Sequence, residues 1–209
     1  MSSLTFFSSL ILLFSVLTSA NPVPLKQLVK PKPSGPFTMV AVHSTSPIHL
    51  KPVNAQRNHF YIGNATQTFC PQQPDVTCPI PGNTTVLQTT SRGYCNLDVE
   101  VPGGQHVYVA ANGALAYTVP NSNIVPKGAH SRSFALDRTS GTRSSFTYSG
   151  TGKASGWLAC PVAAAVYQIF ANVELEDQNV PQKNVSACIA LDALTTNYTL
   201  PGAAAWQYT

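Results

Sequence analysis

Charge is scarce in this sequence. Lys and Arg number twelve and Asp and Glu eight, so charged side chains make up 10% of the 209 residues, against about 25% in a typical soluble domain. Eight carboxylates leave few pairs for general acid–base chemistry. Apolar residues at helical spacing are rare, which argues against a helical bundle. Metal-ligand patterns are missing as well. His43, His49, His59, His106 and His130 form no H-x-x-x-H pair, and no C-x2-C accompanies them. Neither a metal nor a cofactor is expected. Beyond the first twenty residues no apolar run is long enough to span a membrane. Residues 200–209 are not the hydrophobic tail that a lipid anchor requires.

What is present first fixes the compartment. Leu10-Ile-Leu-Leu-Phe-Ser-Val-Leu17 is an apolar core of signal-peptide length, and Thr18-Ser-Ala20 supplies small residues for cleavage. Residues 1–20 therefore read as a signal peptide. Residues 21–36 carry five prolines and three lysines without an acidic partner and read as an extended arm. Residues 37–209 remain as one domain, long enough to bury a core.

In a secretory chain, Asn-x-Ser/Thr marks a glycan acceptor on a surface loop. Asn64, Asn83, Asn184 and Asn197 all qualify, and attached glycans would supply the hydration that charge does not. The five cysteines are Cys70, Cys78, Cys95, Cys160 and Cys188. An oxidising compartment makes disulfides the default. Cys70 and Cys78 are close enough in sequence to meet at little loop-closure cost, and Cys160 with Cys188 would close a longer loop. The spacing leaves other connectivities open. Cys95 is then the odd one, either a buried inert thiol or the bond of a disulfide-linked dimer.

From Phe37 onward the chain reads as short strands between turns, with candidates at 37–42, 60–62, 97–101, 145–149, 156–159 and 165–171. Residues 186–194 suit either a short helix or a last strand. Asn112-Gly113 suggests a two-residue type I′ hairpin loop, which would set Tyr108 opposite Tyr117 on one face. The pattern predicts an all-β single domain, a β-sandwich first and a β-trefoil-like barrel second. Tyr61, Tyr108, Tyr117 and Trp157 are candidates for stacking on sugar rings, against the plainer expectation that the tyrosines pack in the sheet.

Residues 127–153 stand apart. Lys127, Arg132, Arg138, Arg143 and Lys153 face only Asp137, which concentrates the whole net charge of +4 in one segment. It reads as a basic loop or hairpin, solvated or bound to anionic wall polymer or glycan phosphate. Nucleic acid is not an expected partner of a secreted chain. Asp98 and Glu100 share one face of a strand with a spacing of about 6.8 Å, but alternation with apolar residues makes them solvent-facing rather than a catalytic pair. Hence no catalytic residues are expected.

Several motifs together resemble a fungal family, the phialide-type (PhiA-like) cell wall proteins, whose relatives are also described as IgE-binding antigens. They are Ser46-Pro-Ile-His-Leu50, Phe60-Tyr-Ile-Gly63, Cys70-Pro71, Cys78-Pro79, Pro81-Gly-Asn-Thr84, the run from Leu97 to Thr118, and Gly156-Trp-Leu-Ala-Cys-Pro161. The resemblance implies a secreted, non-enzymatic wall protein of asexual development, associated with phialides and conidia. Its partners would be wall polysaccharide or other wall proteins. It also supports pairing Cys70 with Cys78 and Cys160 with Cys188. A secreted glycan-binding module or soluble effector is the alternative, and Cys95 and the basic 127–153 stretch depart from the family pattern.

Overall fold

Alternation makes the first strand. In β1 (Phe37–Val42) the buried residues Phe37, Met39 and Ala41 alternate with partly exposed neighbours, the period of a half-buried strand. The computed structural model describes residues 35–79, 83–137, 144–150 and 156–209. The residues expected to form a signal peptide, most of those expected to form an arm, Pro81, Arg138, Arg143 and Lys153 lie outside the described residues.

Most of the other strands are shorter. They are β2 (Asn54–Gln56), β3 (His59–Ile62), β4 (Thr68–Phe69), β5 (Leu87–Thr89), β6 (Cys95–Leu97) and β7 (His106–Val109). There follow β8 (Leu115–Tyr117), β9 (Phe134–Asp137), β10 (Ser144–Tyr148), β11 (Trp157–Ala163), β12 (Val166–Ala171), β13 (Ile189–Asn197) and β14 (Gln207–Tyr208). Residues 186–194 take both forms left open by the sequence, a 3-10 turn at Val185–Ala187 and then β13. Among the described residues no helix is long and apolar enough to cross a membrane.

A twelve-stranded sheet runs β1-β5-β6-β7-β8-β3-β12-β11-β13-β10-β9, with β2 beside β3. β1 also pairs with β13, from Phe37 opposite Asn197 to Val42 opposite Asp192. The sheet thus folds back on itself as a β-sandwich. This agrees with the β-sandwich expected first. A separate ribbon joins β14 to β4.

The β7–β8 hairpin differs from the expected register by one residue. Tyr108 faces Ala116, and Tyr117 faces Val107. The loop has three residues, Ala111-Asn112-Gly113. The Gly113 amide closes the turn onto Ala110 O at 2.8 Å, and Gly113 alone takes positive φ, +86°. A type I′ turn needs positive φ at both central residues. That geometry occurs instead at Arg57-Asn58, φ 50° and 60°, between β2 and β3. The one-residue slip sends Tyr108 and Tyr117 to opposite faces, and both are buried.

The main core holds a run of rings. Phe134 stacks on Phe146 at 5.6 Å and Phe146 on Trp157 at 5.3 Å, with Phe37 and Tyr148 tilted against them. The Trp157 indole donates to Phe146 O at 2.7 Å, which satisfies its one polar atom inside the core. A smaller cluster of Ala114, Cys160, Phe170 and Val180 packs apart from it.

Candidate functional site

The structure joins Cys70 to Cys78 and Cys160 to Cys188, with Cα separations of 6.0 and 4.1 Å. The first bond lies at the surface and the second against the smaller core cluster. Cys95 is free and 1% exposed. Burial pushes its thiol well above the usual range, where it is a poor nucleophile. An intermolecular bond through it would require β6 to open, so the geometry favours the buried inert thiol over the dimer.

Asn83, Asn184 and Asn197 are exposed. Asn64 is half-buried, its amide donating to Gln56 Oε1 at 2.7 Å. The hydroxyls of Thr66 and Thr85, which complete the first two acceptor sequences, meet at 2.8 Å. The two acceptor asparagines therefore stand on neighbouring segments.

Three of the four aromatic candidates for sugar stacking are core residues. Trp157 is 2% exposed, Tyr117 0% and Tyr108 9%, so none has a face to offer. Tyr61 alone is partly exposed, edge-on to His59 at 6.4 Å. Asp98 is likewise not solvent-facing. It is half-buried, and its Oδ2 has no hydrogen-bond partner. Burial raises its pKa, the Glu100 charge adds to that, and the Ala204 backbone amide opposes it. Glu100 is exposed.

The basic 127–153 stretch does contain a hairpin, β9 paired with β10. Its lead-in, residues 119–133, forms one wall of a cleft. His130 ties that wall to β7 through two 2.8 Å backbone bonds with Val109. The opposite wall is the turn from β5 into β6. There Thr90 Oγ1 accepts from the Tyr94 amide at 3.2 Å, and the Gly93 amide donates to Thr90 O at 3.1 Å.

Between the walls lies a cleft of about 420 Å³, lined by Thr90, Tyr94, Asn96, His106, Asn123 and Ser131, with Cys95, Val107 and Val125. Asn96 and His106 are direct cross-strand partners. His106 spans the cleft, its Nδ1 2.8 Å from Asn96 Oδ1 and its Nε2 2.7 Å from Asn123 Oδ1. Arg132 stands beside the cleft, against Tyr94. Its guanidinium sits 4.8 Å from the Tyr94 ring centroid, and its Nε donates to the Tyr94 hydroxyl at 2.5 Å. A separate pocket of about 210 Å³, between His130, Arg132, Ser133 and Tyr148, shares Ser131 with the cleft. No Asp or Glu lines either.

Only Arg132 and the basic character of its segment were legible as site features. Tyr94, Asn96, His106 and Asn123 come together from separate strands and loops, and no local motif announces them. Among the described residues, no group of His, Cys, Asp or Glu is placed to hold a metal ion.

The comparisons with known proteins agree with the compartment. An uncharacterized secreted protein of Arthroderma benhamiae is 33% identical over 199 residues, covering 92% of this chain and 98% of that protein. No solved structure matches. The PhiA-like secreted protein family matches residues 37–209, the span expected to form the domain, and the chain belongs to that family.

Proposed function

We propose that this protein is a non-enzymatic glycoprotein of the fungal cell wall, with a role in asexual development at phialides and conidia. The observation that carries the reading is the exposure of Asn83, Asn184 and Asn197 on a domain that is poor in charge. Glycans at these sites would keep such a surface hydrated. Family membership and the two intramolecular disulfides support an extracellular setting. The developmental role rests on the sequence resemblance.

Fractionation of the native host into medium and washed wall tests this, with a blot before and after enzymatic removal of N-glycans. The protein is expected mainly in the wall, as a species whose apparent mass falls on deglycosylation. Protein found only in the medium as an unshifted monomer would overturn the wall reading and favour a soluble effector.

A further inference from the structure

We propose that the cleft between the Thr90–Tyr94 turn and the 119–133 segment is a binding site for an anionic glycan, a sugar chain bearing carboxylate or phosphate groups. The inference deepens the wall reading by naming the kind of polymer that the domain would hold.

The cleft's polar groups point to sugar. Thr90 and Ser131 bring hydroxyls, and Asn96 and Asn123 bring side-chain amides that His106, engaged at both ring nitrogens, holds in place. Such a set can exchange hydrogen bonds with several hydroxyls of a pyranose. The volume, about 420 Å³, lies within the range of small-ligand sites, about 300–1,000 Å³.

The charge points to an anion. Arg132 is held by its Nε–Tyr94 bond and its stacking on the Tyr94 ring, which leaves the rest of the guanidinium fork free to receive carboxylate or phosphate oxygens. Among the described residues no carboxylate pairs with it. Arg92 on the same turn as Tyr94, and Lys127 and His130 on the facing segment, are all exposed. These groups flank the cleft rather than line it, and cations beside a concave surface raise the potential that an anionic ligand meets there.

The test is equilibrium binding of the purified secreted chain to polygalacturonate, phosphomannan and the neutral β-glucan laminarin, at low and at moderate salt. Binding to at least one charged polymer is expected, roughly tenfold or more above laminarin and weakening with salt. Polygalacturonate alone would assign the carboxylate form, and phosphomannan alone the phosphate form.

Arg132→Gln should lose roughly tenfold in affinity and flatten the salt dependence. His106→Gln should weaken binding while leaving the salt dependence in place. Arg132 is exposed, so an unchanged melting temperature is expected for its variant and separates lost contact from lost fold. Failure to bind either charged polymer, equal binding to laminarin, or wild-type affinity in both variants would overturn the site. These measurements use purified polymers, so they fail independently of the fractionation result.

Discussion

Trp157 and Gln105 are both shut away from solvent, at 2% and 0% exposure, and they lock different parts of the sandwich by different physics. Trp157 works through area. It lies against Phe146 and Phe134 in near-parallel stacks, and β11 feeds it into the main core. Gln105 works through direction. Its Nε2 donates to Thr118 O at 3.1 Å and to Tyr208 O at 3.0 Å, and its Oε1 accepts from the Tyr208 amide at 2.8 Å. One side chain thus stands in for a strand and clasps residue 208. Tyr208 completes the lock, its hydroxyl donating to Thr84 O and accepting from the Val86 amide. Apolar contact tolerates small shifts, whereas a buried amide is worth little unless every partner is in place.

The largest effect is expected from Trp157→Ala, a loss of about 3–5 kcal/mol for a buried aromatic truncated in a packed core. Denaturant unfolding measures it. A cost below about 1 kcal/mol would show that the ring stack is not central to the fold. Gln105→Leu should follow at about 2–4 kcal/mol, because an apolar side chain of similar size strands the Thr118 carbonyl and both backbone groups of Tyr208. The two variants should also differ in kind. Hydrogen exchange should accelerate throughout the domain in Trp157→Ala, and first at Tyr208 and Thr209 in Gln105→Leu. If both variants show the same exchange pattern, the contrast between area and direction fails.

The same contrast explains what the sequence discloses. Area leaves a pattern: the alternation of Phe37, Met39 and Ala41 names β1 and its buried face, and the all-β sandwich follows from many such segments. Direction leaves almost none. Asn112-Gly113 fits a two-residue loop as well as a three-residue one with glycine in the left-handed position, and the choice depends on what each face meets. Tyr117 packs edge-on to Phe60 at 5.4 Å, while Ala114 joins the smaller cluster on the other side. The primed turn at Arg57-Asn58 carries no glycine and so gives no signal. The Gln105 clasp reaches across 103 positions, and the Arg132–Tyr94 contact beside the cleft across 38. No local spacing rule sees either.

The smallest expected effect lies where the polar network beside this clasp is incomplete. Asp98 O accepts from the Ala204 amide at 3.2 Å, but the carboxylate's Oδ2 has no partner. Burial first, and the Glu100 charge second, raise its pKa in the folded state. The folded chain therefore holds this proton more tightly than the unfolded chain does. That contribution is present in full below the ordinary carboxylate range, near about 3.9, and is lost as pH rises through the raised folded value. At neutral pH the ionised group is a residual liability, moderated by its half-exposure. Asp98→Asn should thus melt with the wild type at low pH and about 2 °C above it at pH 7, whereas the exposed Glu100→Gln should change little at either. Parallel melting curves across pH 3–7 measure the difference. A variant less stable than the wild type at pH 7 would mean that the Asp98 carboxylate gains more from its surroundings than burial costs it, and the clasp would then extend one residue pair further than its hydrogen bonds indicate.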